Sequence, residues 1–179
     1  CNNLFIASID RFKQNGGKLL VLDAPNTKHE FNTVSYLQAA GWDTQKWAHV
    51  PNSNINDYME LESINTRKRV ATLYKLTVGE LLEQHDTPFT AMWLDYMCSF
   101  KGNEQFLSSP KQDLSRVFEK RLLPTTGGVL AVTFCLRNGG GEDIVSGVTN
   151  IALQHGYTCR CVGHVSYNRM MFVVFQCKQ

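Results

Sequence analysis

The sequence lacks any apolar run of the roughly 18 residues that a membrane-spanning helix requires. Its opening residues, CNNLFIASIDRFKQ, carry charges where a signal peptide has an apolar core. Prolines are few, five in 179 residues, and no linker or low-complexity segment divides the chain. The formal net charge of +2 is too small to indicate a strongly basic nucleic-acid or membrane-surface protein. We therefore expect one intracellular domain over residues 1–179, cytoplasmic or nuclear, with no membrane partner.

Six cysteines are scattered along the chain, and four of them lie inside apolar, strand-like runs. Reduced cysteine behaves as a small apolar core residue, and in a domain of this size that interpretation is favoured over a disulfide framework. No cysteine and histidine group has the spacing of a zinc site. We expect core thiols, which agree with an intracellular setting, and no structural metal.

Short β-rich runs alternate with amphipathic stretches along most of the chain. This alternation is typical of an α/β domain with a largely parallel sheet. The first five predicted strands are 18–24, 46–50, 69–76, 89–95 and 127–136. The predicted helices are 4–12, 32–40, 54–64, 78–85, 109–123 and 142–156. The predicted helix caps include Asn32 or Thr33, Asn54 and Thr77.

The last two strand-like runs, 158–167 and 169–177, are separated by almost nothing. Parallel neighbours need a crossover of about a dozen residues or more, so these runs must form an antiparallel hairpin. Asn168 lies at the tight turn, where asparagine is a preferred residue. The sequence therefore predicts a specific order of elements, in which five βα units are followed by an antiparallel hairpin.

That order resembles the class I S-adenosylmethionine-dependent methyltransferases, and the resemblance covers the whole chain. It implies a three-layer Rossmann-like sandwich whose seven-stranded sheet has the order 3-2-1-4-5-7-6, with the seventh strand antiparallel beside the fifth. It also implies that S-adenosylmethionine lies across the carboxyl ends of the first strands, where ligands collect in open α/β sheets.

The resemblance places the cofactor loop directly after the first strand. The matching positions are Asp23, Ala24, Pro25, Asn26 and Thr27. The glycines usual in this loop are missing, so its backbone either binds the cofactor differently or does not bind it. At the end of the second strand Asn52 replaces the acidic residue that takes the ribose hydroxyls. Leu76 and Thr77 match the adenine side, although capping a helix is the simpler role for Thr77.

The fourth strand delivers Asp95 and Tyr96 to the carboxyl edge of the sheet, within the stretch MWLDYMCSFKGN. The resemblance implies that they face the transferred methyl group and the acceptor. Asp95 would orient or deprotonate the acceptor, Tyr96 would stack on a planar substrate, and Lys101 would meet an anion. Arg137 and Asn138 precede three glycines and form either a surface loop or a substrate gate.

The sequence predicts a methyltransferase of unknown acceptor, which is a nucleic acid, a protein or a small molecule. The alternative is an inactive methyltransferase-like binding module or subunit of a complex, motivated by the missing glycines and the missing ribose acid. A nicotinamide-dependent oxidoreductase is a third interpretation, but the sequence lacks G-x-G-x-x-G. The abrupt start at Cys1 suggests a piece of a longer chain.

Overall fold

The structure is a computed structural model that describes residues 1–102, 109–136 and 143–179. Its strands are β1 (Leu19–Val21), β2 (Ala48–Pro51), β3 (Thr72–Tyr74), β4 (Ala91–Asp95), β5 (Gly128–Cys135), β6 (Thr158–Tyr167) and β7 (Met170–Lys178). Its helices are α1 (Asn2–Ile9), α2 (Asn32–Ala39), α3 (Thr44–Trp47), α4 (Ile55–Lys68), α5 (Val78–Gln84), α6 (Pro110–Glu119) and α7 (Asp143–Gln154). A 3-10 turn, Asp10–Phe12, follows α1.

The strands form one seven-stranded sheet with the order β3-β2-β1-β4-β5-β7-β6, which confirms the predicted topology. The first five strands run parallel to one another, and β7 runs antiparallel between β5 and β6. Every residue of β1 and β5 is buried, as central strands covered on both faces require. The hairpin turn uses Asn168 and Arg169 with φ of 43° and 60°, so the prediction for Asn168 is confirmed.

Helices cover both faces of the sheet and divide the core into two layers. On one face, Leu82 of α5, Phe118 of α6 and Val148 of α7 pack against the apolar side chains of β4 and β5. On the other face, Phe5 of α1 contacts Trp93 of β4, with ring centroids 5.3 Å apart. These layers hold the strand ends in fixed positions, and the site is built on those ends.

Several predicted boundaries differ from the structure, three of them in the first three strands. The short helix α3 occupies the start of the predicted second strand, because the Asp43 side chain accepts from Lys46 N and caps one turn. The third strand begins at Thr72, later than the predicted start at residue 69. The reason is that α4 continues to Lys68, and Arg69 ends the helix in the left-handed region at φ 50°. The β1 strand is three residues long, shorter than the predicted run. None of the helices in the described part of the chain is long and apolar enough to span a membrane.

The expectation that the cysteines are reduced is wrong for one pair. Cys159 of β6 and Cys177 of β7 are directly opposite in the antiparallel register and form a disulfide, with Cα atoms 4.1 Å apart. The other four cysteines, Cys1, Cys98, Cys135 and Cys161, are thiols. The disulfide therefore cross-links the last two strands of the chain, β6 and β7.

Thiol titration tests this pairing. Protein purified and unfolded without reductant should show four titratable thiols, and six after reduction. Reduction should also lower the melting temperature, because a cross-link restricts the unfolded chain. The variant Cys159→Ser is the control and should show five thiols, one released from Cys177, with or without reductant. Six thiols in the unreduced wild-type protein would contradict the disulfide.

Candidate functional site

A cleft of about 710 Å³ opens at the carboxyl ends of β1, β2, β3 and β4. This is the edge of an open α/β sheet where ligands bind, and the volume lies within the roughly 300–1,000 Å³ typical of ligand pockets. Among the sequence-predicted positions, Asp23, Ala24, Asn52, Leu76, Thr77, Asp95 and Tyr96 line it. The fold therefore brings together residues that are far apart in the sequence.

The end of β1 is organised by the Asp23 carboxyl group, which is only 8% exposed. Its Oδ1 accepts from Ala24 N and Thr33 N, each at 2.9 Å, and its Oδ2 accepts from Val34 N at 2.8 Å. Burial raises the pKa of Asp23 to about 6, while these hydrogen bonds oppose the rise. Asp23 therefore caps α2 in place of the predicted Asn32 or Thr33, and the first amides of α2 are occupied.

The loop after Ala24 turns away from the cleft. The Asn26 side chain accepts from Lys28 N at 2.9 Å and from Glu30 N at 3.1 Å, which closes the loop on itself. Pro25 forms an isolated bridge with Phe31, and Thr27 is exposed. Pro25, Asn26 and Thr27 lie outside the cleft lining, so of the five predicted loop positions only Asp23 and Ala24 face it.

Asn52 lies at the end of β2, where its amide joins three elements. Its Nδ2 donates to Asp23 O at 3.0 Å, and its Oδ1 accepts from Asn54 N at 2.9 Å. Its backbone N–H donates to Tyr74 O at 2.9 Å, at the end of β3. Both ends of the Asn52 amide are thus engaged within the protein.

Leu76 and Thr77 form the wall beyond β3. The Thr77 hydroxyl accepts from Glu80 N at 3.2 Å, and Glu80 Oε2 accepts from Thr77 N at 2.7 Å, which completes a capping box at the start of α5. The predicted capping role of Thr77 is confirmed. Its adenine-side role stays a prediction, as does that of Leu76.

Asp95 ends β4 at the centre of the cleft edge and lies opposite Thr133 of β5. Burial raises the pKa of the Asp95 carboxyl group, and a hydrogen bond with the Thr133 hydroxyl opposes the rise. That hydroxyl also accepts from Trp93 Nε1 at 2.9 Å. The Asp95 carboxyl group is therefore held in place at the cleft by a buried polar pair.

Tyr96 is 4% exposed, and its ring stacks on Phe134 with centroids 5.2 Å apart. Its hydroxyl donates to Asp113 Oδ2 at 3.0 Å. Burial, with Asp113 beside it, raises the pKa of the Tyr96 phenol well above its ordinary value. The phenol is thus neutral and fixed, which suits a rigid wall of the cleft.

The remaining predicted positions do not enter the described lining. Lys101 is exposed and does not line the cleft. Arg137 and Asn138 lie outside the described residues. All three stay predictions as acceptor contacts.

Sequence reasoning missed the acidic character of the cleft. Among the described lining residues, six carboxyl groups accompany a single guanidinium, that of Arg116. The carboxyl groups belong to Asp23, Asp57, Glu80, Glu83, Asp95 and Asp113. Arg116 Nε lies 2.9 Å from Glu83 Oε2, and its Nη1 lies 3.6 Å from Asp113 Oδ1. The cleft therefore complements a cationic ligand. The Arg116 guanidinium in its lining is already paired with carboxylates of the protein.

One sequence signal was available for the missed residues. Asp57 follows the Asn54 cap by three positions, the spacing of a capping box. Asp113 and Arg116 are three residues apart and so share one face of α6. In the described segments no group of three or more His, Cys, Asp or Glu side chains could hold a metal ion.

Solved structures with the same architecture carry the comparison further. Trm1 from Pyrococcus horikoshii, solved with S-adenosyl-L-methionine, matches 99% of this chain and 54% of its own, with TM-score 0.66 and 13% identity. Magnesium protoporphyrin IX methyltransferase from Synechocystis PCC 6803, solved with the same cofactor, matches 99% and 79%, with TM-score 0.62 and 8% identity. The N-methyltransferase NodS from Bradyrhizobium japonicum matches 97% and 94%, with TM-score 0.57 and 11% identity.

The fold is that of the class I methyltransferases. No protein-family model matches the chain, and no curated protein matches its sequence. Because the three structures named above are 8% to 13% identical to this chain, the likeness establishes the methyltransferase fold and leaves the chemistry to be argued from the cleft.

The cleft of this methyltransferase fold suits S-adenosylmethionine in size and charge. The acidic lining complements the positive charges of the cofactor's sulfonium and amino groups, and Leu76 and Val78 add apolar surface to the same lining. The first amides of α2 are occupied by Asp23, so they are not donors for the cofactor's carboxylate. The side chains of Asn32 and Ser53, which line the same wall, are suitable donors instead.

Proposed function

We propose that this chain is an S-adenosylmethionine-dependent methyltransferase. The observation that carries the proposal is the convergence of four parallel strand ends on a single 710 Å³ cleft, with the Asp95 carboxyl group at its edge. Methyl transfer requires mainly that donor and acceptor be aligned in a restricted volume, and few side chains need to react. This cleft meets that requirement.

We assign the cofactor-side roles to residues that form the walls of the cleft. Asp23 and Ala24 form the wall at β1, Asn52 fixes the wall at β2, and Leu76 and Thr77 form the wall at β3. When bound, the cofactor supplies a methyl group already activated for transfer by its sulfonium. The chain has only to orient the acceptor and receive its proton.

Asp95 is the residue we assign to the proton. A nucleophilic O–H or N–H of the acceptor would donate its proton to the Asp95 carboxylate as the new bond to the methyl carbon forms. The raised pKa of the partly desolvated carboxyl group makes it a stronger base than an ordinary aspartate. Tyr96 forms the fixed wall beside it.

The acceptor and the cellular location belong to the same proposal. Lys101, Arg137 and Asn138 remain the proposed acceptor contacts. The acceptor is a nucleic acid, a protein or a small molecule, and the acidic lining favours one that places no phosphate inside the cleft. An intracellular location agrees with the four cysteines that remain thiols, although the disulfide removes part of that argument.

A second function, a cofactor-free binding module, is favoured by one observation. The carboxylate of Asp23 occupies amides of α2 that would otherwise be available to an anionic ligand group. A chain that satisfies its own anion site does not need the cofactor to complete its fold. Under this function the cleft would bind a cationic partner group.

Calorimetric titration separates the two functions. The wild-type protein should bind S-adenosylmethionine and S-adenosylhomocysteine with dissociation constants on the order of micromolar, about −8 kcal/mol. Ala24→Trp should weaken both by at least about tenfold, because the exposed Ala24 lines the cleft and an indole would fill part of it.

The matched control is Ala39→Trp, which adds the same side chain at an exposed position of α2 outside the cleft lining. Its affinities should equal those of the wild-type protein. An absence of heat at millimolar cofactor would reject the methyltransferase proposal and support the binding module.

A further inference from the structure

The turn between β6 and β7 lies at the same carboxyl edge of the sheet as the cleft. β5 ends at Cys135, whose partner on β7 pairs in turn with Tyr167 at the end of β6. Leu136 N donates to Arg169 O at 2.6 Å, which holds the turn against the end of β5. In the strand order the cofactor walls lie on one side of β4, and this turn lies on the other. An acceptor that approaches Asp95 from the side away from the cofactor therefore meets the turn.

Tyr167 lies on the same face of the sheet as Asp95. One row of cross-strand partners contains, from β4 to β6, Asp95, Thr133, Phe172 and Val165. Paired residues point to the same face of a sheet, as do residues two apart in one strand. Tyr167 is two residues after Val165, so it shares that face. Partial burial and then the charge of Asp95 raise the pKa of the Tyr167 phenol, which agrees with this placement.

The Tyr167 side chain has no partner in the described part of the protein. Tyr167 is 40% exposed. Among the described residues, no other ring and no lysine or arginine stacks on its ring, and no group forms a hydrogen bond with its hydroxyl. Tyr96 differs, because its ring stacks on Phe134 and its hydroxyl donates to Asp113. Tyr167 therefore presents an accessible aromatic ring on the acceptor side of Asp95.

The charges around Asp95 favour a cation on that side. Asp95 contacts the neutral hydroxyl of Thr133, and within the described residues no lysine, arginine or histidine forms a salt bridge with it. Lys101, which follows β4, and Arg169, in the turn, are exposed and outside the cleft lining, where solvent and salt screen their charges. A carboxylate and the face of an aromatic ring both attract an organic cation.

We infer that Asp95 and Tyr167 together receive an ammonium group, so that the acceptor of this methyltransferase is an amine. The inference rests on the proposed function, since it names the class of acceptor used at the same site. The ammonium would lie between the Asp95 carboxylate and the face of the Tyr167 ring. In this arrangement Tyr167 selects the acceptor, and Asp95 both binds it and takes its proton.

The transfer step then balances without a further reactant. One N–H of the ammonium gives its proton to the Asp95 carboxylate, which leaves a neutral amine with a free electron pair. That pair forms the new N–C bond to the methyl group, while the S–C bond breaks and its electron pair stays with sulfur. The nitrogen of the product carries the positive charge, and Asp95 returns its proton to water.

Titration of the S-adenosylhomocysteine complex with n-butylammonium and with n-butanol tests the inference. The two probes have the same chain, and at neutral pH only the first is charged. The wild-type complex should prefer the ammonium by at least about tenfold, because the carboxylate and the ring both favour a cation. Asp95→Asn should remove most of this preference. Tyr167→Leu should reduce it about threefold or more, whereas Tyr167→Phe, which keeps the ring, should retain it.

Tyr36→Leu is the matched control, because Tyr36 is a 49% exposed tyrosine on α2, outside the cleft lining. It should keep the wild-type preference. Equal affinity of the wild-type complex for the two probes, or no binding of either, would overturn the inference and leave the proposed function intact. An unchanged preference in Tyr167→Leu would also overturn it. Failure of the wild-type protein to bind S-adenosylmethionine and S-adenosylhomocysteine would overturn both.

Alkyl ammonium groups occur in small amines and in lysine side chains, and transfer of a radiolabelled methyl group separates these sources. Labelling of n-butylamine would support the inference with a small-molecule acceptor. Labelling of a lysine-containing peptide alone would support it with a protein acceptor. Labelling of n-butanol alone would contradict it.

Discussion

Replacement of Asp95 with alanine is expected to lower methyl transfer by at least about 100-fold, the usual contribution of a positioned general base. Affinity for S-adenosylhomocysteine should change far less, and the melting temperature should stay close to that of the wild type. The reason is that Asp95 ends β4 at the cleft edge, where its carboxyl group contacts Thr133 and supports no apolar layer. Transfer of a radiolabelled methyl group to a panel of nucleosides, peptides and amines gives the rate.

The control for Asp95→Ala is Asp86→Ala, which removes an exposed carboxylate outside the cleft lining. It should retain full activity. Parallel losses of stability and activity in Asp95→Ala would show that the residue supports the fold. An active Asp95→Ala protein would remove Asp95 from the reaction.

The pH dependence gives a second readout for the same residue. The carboxylate is the form that accepts a proton, so transfer should fall as the pH is lowered through the pKa of Asp95. Because burial raises that pKa, the midpoint should lie above the ordinary aspartate value. In Asp95→Asn the residual rate should lose this dependence.

Much of the fold was predictable because central strands and long amphipathic helices carry strong local patterns. β5 is buried along its whole length, and α6 begins with Pro110 and places Leu114, Val117 and Phe118 on one buried face. The edge of the sheet was less predictable. β3 has only three residues, none of them fully buried, and α3 is a single turn that no periodicity reveals.

The disulfide depends on a detail that a hairpin pattern does not contain. Counting outward from the turn, Tyr167 pairs with Met170 and Gly163 pairs with Val174. A register shift between Cys161 and Gly163 then moves the pairing by one residue. Without this shift Cys159 would oppose Lys178, and the two cysteines would not meet.

The positions of the site were predictable, whereas their hydrogen-bond partners were not. Topology alone brings Asp23, Asn52 and Asp95 to the same edge of the sheet. Nothing in the local sequence shows that both ends of the Asn52 amide are engaged, or that Asp113, from a distant helix, accepts from Tyr96. Those partners depend on how loops and helices pack in three dimensions.

Asp23→Ala is expected to destabilise the protein by about 3–4 kcal/mol, the effect of leaving buried N–H groups without acceptors. The Asp23 carboxyl group accepts from three backbone donors at 2.8 to 2.9 Å, and two of them belong to the first turn of α2. Alanine offers no acceptor, and the buried site has little access to water. Urea unfolding followed by circular dichroism measures the change in the free energy of unfolding.

A second capping aspartate in the same chain is the matched control. Asp43 caps α3 with one bond, from Lys46 N to its Oδ1 at 3.3 Å, and its side chain is exposed. Asp43→Ala should therefore cost about 1 kcal/mol or less, because water replaces the lost acceptor. If the two variants lost the same free energy of unfolding, the buried Asp23 cap would stabilise the protein no more than the exposed Asp43 cap. The absence of glycine from the loop after β1 would then need another explanation. It could not be attributed to the Asp23 side chain capping α2 in place of a backbone loop that binds a ligand.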